Sequence, residues 1–261
     1  MNVWVKRALI AVPVAVALFF GAILLYVTVI KDDAPAELDT DDLAAAVEGP
    51  ATTMVAGDSA STVAPTTTTA PTTASTTAPA TAGTTGGVSY DGAWTVTEES
   101  EFGYRVEEVL FGVNTTAAGR SNQITGDMTI AGTAVESAAF TVDVASIESD
   151  DSRRDGQFRG DIMQTDQFPE ATFTLTAPIE LGALPADGEQ VTASATGDLT
   201  LHGVTQTVTF DLTAEAGAER IGVLGSIPIL FADYDIDNPS RSGITTEDNG
   251  LLEFVLVFVP A

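Results

Sequence analysis

Three arginines lie close together at residues 152–160, SRRDGQFRG, in a 261-residue chain whose net charge is −27. Arg153, Arg154 and Arg159 are three of only seven basic residues from Tyr90 onwards. Guanidinium groups bind phosphates and other polar oxygens through paired hydrogen bonds, so this cluster could hold the polar head of a ligand. Alternatively, the arginines pair with neighbouring carboxylates such as Asp155 and with strand-end carbonyls, and so pin a helix over a rim. The abundance of carboxylates favours this second interpretation.

The rest of the sequence offers few groups for catalysis or metal binding. The chain has no cysteine, which excludes disulfides and thiolate chemistry, and His202 is its single histidine. We expect His202 to stabilise the turn that it forms with Gly203. The acidic run at residues 233–238 supplies oxygen atoms but lacks the spacing of an EF-hand loop. The sequence therefore predicts a protein that is not an enzyme and has no cofactor, and its negative charge argues against a nucleic-acid partner.

The elements that position the arginines are predicted to be β-strands. From about residue 88 to the end, apolar and polar residues alternate, as in VTFDLTA, where Val208, Phe210 and Leu212 share one face. A period of two is typical of antiparallel strands buried on one side. Eight to ten such runs, separated by turn residues, predict an all-β barrel or sandwich. The small residues Ala193 to Gly197 on one inward face indicate space inside it.

Two segments of the chain are predicted to be short helices. Residues 150–164 break the alternation and place Phe158, Ile162 and Met163 on one helical face, with N-cap candidates at residues 150–152. Earlier in the chain, TDDLAAAVEG could form a helix capped by Asp39 or Thr40 and ended by Gly49.

The N-terminal third predicts a membrane anchor and a linker. Residues 8–30 are uncharged and largely apolar, and as a helix they would cross a bilayer of roughly 30 Å. Residues 1–7 hold Lys6 and Arg7, so they are predicted to be cytoplasmic and the rest extracytoplasmic. A cleaved signal peptide is the alternative. Residues 31–87 are predicted to be a disordered linker, first acidic and then rich in Thr, Ala and Pro, and the domain follows at 88–261.

Several short motifs in the last 172 residues resemble those of the YceI-like, polyisoprenoid-binding family. The chain has Ser146-Ile147, Arg154-Asp155, Phe168-Pro169 and the hairpin sequence GDLTLHGVT from Gly197 to Thr205, in the family's order. It departs from the family at residues 157–158, where Gln-Phe replaces a frequent His-Leu. The resemblance covers about residues 90–260.

The resemblance implies a lipocalin-like antiparallel barrel of about eight strands with one inserted helix and a long apolar tunnel. The ligand would be an isoprenoid lipid or quinone, held for transport, storage or protection, and a homodimer is left open. The alternative is a packed barrel that binds a protein partner on its surface, because the same inward side chains would also build an ordinary core. The expected tunnel-lining residues are Trp94, Phe102, Tyr104, Phe140, Val142, Phe158, Ile162, Phe173, Leu175, Phe210, Ile229, Phe254, Leu256 and Phe258, with Arg154, Asp155 and Arg159 at the rim.

Overall fold

The structure, a computed structural model, describes residues 21, 34–49, 89–183, 185–217 and 219–261. Residues 92–260 form thirteen strand segments in one antiparallel sheet. In chain order they are β1 (Gly92–Val96), β2 (Glu101–Leu110), β3 (Val113–Ser121), β4 (Ile124–Ala131), β5 (Ala134–Asp143), β6 (Glu148–Ser149), β7 (Glu170–Leu175), β8 (Ile179–Glu180), β9 (Gln190–Leu201), β10 (Val204–Ala216), β11 (Ile221–Leu230), β12 (Ile244–Thr246) and β13 (Asn249–Pro260).

Eight of these strands close into a barrel, which confirms the predicted antiparallel β-barrel. The order is β1-β4-β5-β7-β9-β10-β11-β13, and β13 pairs with β1 through Val96 and Phe258 to complete the circle. The ring has no terminal strand, although β10 pairs with β11 only from Leu212 to Ala216. Closure of this kind protects a β protein from pairing with other chains.

The two ends of the barrel have different walls, because β13 changes partner along its length. Its second half pairs with β1, whereas its first half pairs with β2, from Leu251 opposite Arg105 to Val255 opposite Glu101. The hairpin of β2 and β3 therefore continues the wall at one end only. We call this the arginine end, because the helix that carries Arg153 and Arg154 lies there.

The inserted helix is shorter than the predicted 150–164 and changes its winding. Helix α2 (Ser152–Gln157) is followed by a π-helical turn at Phe158–Ile162. Asp151 is the N-cap, and its carboxylate accepts a hydrogen bond of 2.8 Å from the Arg153 amide. The wider π turn keeps Phe158 and Met163 buried on the barrel side.

A second helix, α1 (Thr40–Glu48), lies on the outside of the barrel. Asp39, one of the two predicted caps, forms a capping box with Asp42, and Gly49 ends the helix as predicted. Its buried residues Leu43 and Val47 pack against the outward side chains of β13. Residues 34–49 are thus docked on the barrel, and the predicted disordered linker does not extend to them.

The predicted span at residues 8–30 lies outside the described residues except for Gly21. Among the helices that the structure does describe, none has the length and apolar character needed to cross a membrane. Residues 50–88, which include the Thr-rich segment, also lie outside the described part of the chain.

Candidate functional site

A cavity of about 310 Å³ occupies the arginine end of the barrel interior. Its walls come from β2, from the α2 segment and from the stretch that follows β11. Most of the lining is apolar, including Phe102, Phe158, Ile229 and Leu252. Ligand pockets that bind through apolar contact have this composition, with a few polar groups to set orientation.

The polar groups of this cavity lie at its mouth. Arg153, Arg154 and Arg241 all contribute to the lining, and Arg153 and Arg241 are exposed, so the cavity reaches the surface there. Arg154 forms ion pairs with Asp150 and, at 3.6 Å, with Glu108. Arg241 donates a hydrogen bond to the Gln157 side chain and so connects the stretch after β11 to α2. Arg153 forms no ion pair with any described residue.

Tyr104 lies just inside the mouth. Its ring stacks on Phe158, with 4.8 Å between the ring centroids and 10° between the planes. Burial raises the pKa of the Tyr104 hydroxyl far above its ordinary value, and the nearby Arg154 charge only partly opposes this effect. The hydroxyl therefore stays protonated and can donate a hydrogen bond near the mouth.

Two of the predicted rim residues hold the helix rather than line the cavity. The Asp155 carboxylate is buried and accepts hydrogen bonds from the Ser149 hydroxyl at 2.6 Å and the Ser149 amide at 2.9 Å. The Arg159 guanidinium donates, at 3.4 Å, to the carbonyls of Ala145 and Ile147. These contacts fasten the α2 segment to the chain before it, which is the pinning role that the sequence favoured.

A cluster of five phenylalanines fills the middle of the barrel. Phe140 lies at its centre, with ring centroids 5.4 Å from Phe173, 5.5 Å from Phe254 and 6.4 Å from Phe102. Phe210 completes the cluster by edge contacts to Phe173 and Phe254. We call this group the phenylalanine divider.

Two glycines make room for the divider. An added Cβ at Gly197 would lie 2.3 Å from the Phe173 ring, and one at Gly225 would lie 2.4 Å from the Phe254 ring. A side chain at either position would displace the ring beside it. The sequence predicted free space at Gly197, and this was wrong, because an aromatic ring from the neighbouring strand occupies that space.

Beyond the divider lies a second, smaller cavity of about 90 Å³. It shares no lining residue with the larger cavity, and Phe140, Phe173, Phe210 and Phe254 lie in its wall. Among the described residues, the divider thus lies between two cavities, where the family resemblance implied a single long tunnel. The physical reason is that inward phenylalanines from five strands meet across the barrel.

The predicted lining residues divide between these two cavities. The larger cavity is lined by Phe102, Tyr104, Phe158, Ile162 and Ile229. The smaller cavity is lined by Phe140, Phe173, Leu175, Phe210, Phe254, Leu256 and Phe258. Trp94 and Val142 are buried in the core but line neither cavity.

The sequence missed one side of the mouth. Phe231, Ile236, Arg241 and Ile244 line the larger cavity from the stretch between β11 and β13. Phe231 continues the alternation of β11, but residues 233–244 have no strand alternation and begin with the acidic run. Arg241 was a usable signal, because arginine is rare in this domain.

His202 and the acidic run have structural contacts. The His202 Nδ1 atom lies 3.1 Å from the Tyr234 carbonyl, and its ring packs edge-on against Phe168. The Asn238 amide donates to the Thr246 carbonyl at 3.0 Å and to the Asp248 carboxylate at 2.7 Å. Both residues thereby hold the stretch after β11 in place.

Comparison with known proteins relates this barrel to one family. The family model for the YceI-like domain matches residues 94–258. A UPF0312 protein of Vibrio parahaemolyticus is 33% identical over 127 residues, which are 45% of this chain and 64% of that protein. A UPF0312 protein of Pseudomonas putida is 34% identical over 121 residues, 43% of this chain and 59% of its own length. The chain thus covers less than two thirds of these relatives.

Solved structures include the same fold. A polyisoprenoid-binding domain from Saccharophagus degradans, implicated in plant cell wall breakdown, matches with a TM-score of 0.54 and 23% identity. The match covers 64% of this chain and 98% of that domain.

Proposed function

Because the chain belongs to the YceI-like family, we propose that its barrel binds the apolar chain of an isoprenoid lipid or quinone. The larger cavity takes the first part of the chain, and the polar end of the ligand stays at the mouth. The observation that carries this proposal is an apolar cavity of about 310 Å³ whose charged groups are confined to its opening.

The arginines at the mouth suit a ligand with an oxygen-rich head. Arg154 is already paired with two carboxylates, whereas Arg153 has no ion pair among the described residues. Arg153 is therefore the guanidinium best placed to meet a phosphate or quinone oxygen. Tyr104, which stays protonated, offers a further donor behind it.

The cavity volume limits how much of the chain lies inside. An engineered protein cavity of about 150 Å³ holds one benzene molecule, so 310 Å³ holds on the order of a dozen carbon atoms. This is two or three isoprene units by the same estimate. A longer chain must leave its remainder outside the mouth, or the divider must move.

The energetics favour exchange with a membrane over permanent retention. Moving a chain from water into the cavity gains about 0.8 kcal/mol per methylene. A bilayer already provides an apolar environment, so the same transfer from lipid gains little. The balance between membrane and cavity then depends on the contacts of the head group, which suits a protein that both loads and releases its ligand.

The proposal includes a membrane location. Residues 8–30 would anchor the protein, with Lys6 and Arg7 on the cytoplasmic side and the barrel outside. The ligand would be carried, stored or shielded close to the membrane where isoprenoids reside. The absence of enzymatic activity is part of the same proposal.

Lipid analysis tests the proposal. Purified full-length protein is extracted with organic solvent, and the extract is examined by mass spectrometry. We expect an isoprenoid or quinone to co-purify. If no lipid co-purifies and added isoprenoids are not taken up, the alternative of a surface that binds a protein partner is favoured.

Two matched tryptophan variants locate the ligand. Ile229→Trp places a large side chain in the larger cavity, and Leu175→Trp places one in the smaller. We expect the first variant to lose most bound lipid and the second to retain it, with both folded by circular dichroism. Equal retention in both variants would contradict the assignment to the larger cavity.

A further inference from the structure

We propose that the arginine end of the barrel rests on the membrane that carries the protein, with Phe111 and Leu230 in contact with lipid. This inference rests on the proposed function and adds an orientation to it: the larger cavity opens towards the bilayer. Three observations carry it, namely where the docked segment begins, which apolar side chains are exposed, and where the cavity opens.

The docked segment, residues 34–49, begins near the arginine end. The Pro35 carbonyl accepts a hydrogen bond of 2.6 Å from Arg105, a neighbour in sequence of the cavity-lining Tyr104. The other end of the segment points away from the mouth, because Val47 packs over Gly222, which pairs with Val257. The chain therefore enters the barrel surface beside the larger cavity.

A buried ion cluster fixes this entry point. Glu253 is only 1% exposed, and its carboxylate contacts both Arg105 and Arg120. Its second oxygen accepts a hydrogen bond of 3.0 Å from the Leu38 amide, and Arg120 donates at 2.9 Å to the Ala36 carbonyl. The two arginines and the glutamate thus bind the backbone before α1.

The predicted anchor is close to this point. Only residues 31–33 separate the predicted span, residues 8–30, from Ala34. Four residue steps reach at most about 14 Å even when fully extended. The Thr-rich residues 50–88 instead connect Gly49 to Ser89, so they do not set the distance between membrane and barrel. The end that holds Pro35 is consequently the end nearest the bilayer.

The exposed apolar side chains lie at the same end. Among the described residues, the large hydrophobic side chains that remain exposed are Phe111, at 45%, and Leu230, at 54%. Phe111 lies in the turn between β2 and β3 and packs over Gly243, and Leu230 follows the cavity-lining Ile229. Apolar side chains at the end of the barrel where Arg153 and Arg241 line the cavity mouth match an interface of acyl chains and phosphate groups.

This orientation gives the ligand a dry route. An isoprenoid chain could pass from the bilayer into the larger cavity without crossing water. The part of a long chain that exceeds the cavity would remain in the lipid, so the divider need not open. The head group would stay at the phosphate level, where the mouth arginines lie.

Site-specific labels test the orientation, because the natural chain has no cysteine. The variants Phe111→Cys, Leu230→Cys and Thr133→Cys each accept one fluorescent maleimide. Thr133 is exposed in the hairpin between β4 and β5, at the opposite end of the barrel. Each labelled full-length protein is reconstituted into phosphatidylcholine vesicles that carry nitroxides on their acyl chains.

We expect the lipid nitroxides to quench most of the fluorescence at positions 111 and 230 and little of it at position 133. Equal quenching at both ends, or stronger quenching at 133, would overturn the orientation. If the label at position 111 emits as in an apolar environment but is not quenched by the lipid nitroxides, then protein and not lipid covers Phe111. That result would also overturn the orientation.

A second pair of variants tests the docked segment. Leu43→Asp places a charge at a fully buried contact of α1, whereas Ala45→Asp changes an exposed position of the same helix. We expect Leu43→Asp to reduce quenching at 111 and Ala45→Asp to leave it unchanged. No change with Leu43→Asp would show that docking does not orient the barrel.

Two controls separate this inference from the proposed function. Flotation of the protein with vesicles tests the anchor, and lipid extraction tests ligand binding. Protein that floats and carries lipid but shows no difference between its two ends refutes the orientation alone. Protein that does not float, or carries no lipid, refutes the proposed function.

Discussion

Replacing Phe140 with alanine should join the two cavities and lengthen the chain that the barrel holds. Phe140 is the central residue of the divider, because its ring is within 6.4 Å of three others, those of Phe102, Phe173 and Phe254. It is 7% exposed and lies in the wall of the smaller cavity. Its removal would leave a gap between about 310 Å³ on one side and about 90 Å³ on the other.

The cost to stability follows from the packing. Truncation of a buried phenylalanine to alanine costs about 3–5 kcal/mol, and each ring contact contributes about 0.5–1.5 kcal/mol of specific interaction. A domain of this size typically has about 5–15 kcal/mol of stability, so the variant should remain folded at room temperature. Its midpoint of thermal unfolding should fall by about 6 to 20 °C.

The gain in capacity can be estimated in the same way. The joined cavity, with the space of the lost ring, should hold on the order of twenty carbon atoms instead of a dozen. Full-length protein in detergent is mixed with equal amounts of farnesyl phosphate and the longer geranylgeranyl phosphate. Native mass spectrometry then gives the ratio of the two bound lipids. Wild type and variant are measured in the same detergent, so each lipid partitions equally into the micelles in both samples. This effect therefore cancels when the two ratios are compared.

Val142→Ala is the matched control. Val142 is the next inward position of β5, is fully buried and lines neither cavity. It should lower stability by less than Phe140→Ala and leave the bound-lipid ratio unchanged. Two results would refute the reasoning: a loss of stability below about 1 kcal/mol for Phe140→Ala, against the 3–5 expected, or an unchanged lipid ratio in that variant.

Three further variants test other parts of the structure. Glu253→Gln leaves Arg105 and Arg120 without their buried carboxylate, so the free energy of unfolding in urea should fall by up to about 3–5 kcal/mol. Limited proteolysis should also cut near residues 34–38 sooner than in the wild type. Equal cleavage rates would contradict this role of Glu253. Asp155→Asn weakens the hydrogen bond to the Ser149 hydroxyl. The rate of amide hydrogen exchange should therefore rise in residues 149–163 and stay the same in β9, which serves as the internal control. An unchanged rate in residues 149–163 would show that other contacts hold α2. Tyr104→Phe should make the stability of the protein less sensitive to alkali. Burial raises the pKa of the Tyr104 hydroxyl in the folded state. The stability that depends on the neutral phenol is therefore fully present below about pH 10 and is lost as the pH rises through the folded-state pKa. Unfolding midpoints measured from pH 8 to pH 12 should therefore fall less in this variant, and an identical fall would contradict the burial of the hydroxyl.

Local sequence patterns were sufficient to predict most of the strands, helix α1 and an all-β fold. The alternation in β10 predicts which side chains point inwards, because a strand turns successive residues to opposite faces. Asp39 and Gly49 predict the limits of α1, since capping depends only on groups within one turn of the helix. The excess of carboxylates around residues 150–161 likewise indicated that arginines there would form structural contacts.

The outer face of β13 departs from simple alternation. In LLEFVLVFV, Val255 and Val257 are apolar at positions that should face solvent. They are buried because α1 covers them. An apolar outward face on a barrel strand indicates a partner, but it does not say which segment of the chain supplies it.

Periodicity determined by itself that this chain forms an antiparallel barrel or sandwich with an apolar interior, because alternation is a property of neighbouring residues. The choice of a barrel came from the family resemblance. Only the tertiary structure decided how that interior is divided and where residues 34–49 lie. Rings from four strands meet at Phe140, and their meeting depends on the register of strands far apart in sequence. The docking of residues 34–49 depends on Arg105, Arg120 and Glu253, which approach one another only when β2, β3 and β13 are paired. Contacts of this kind join distant positions, and no local pattern in the sequence records them.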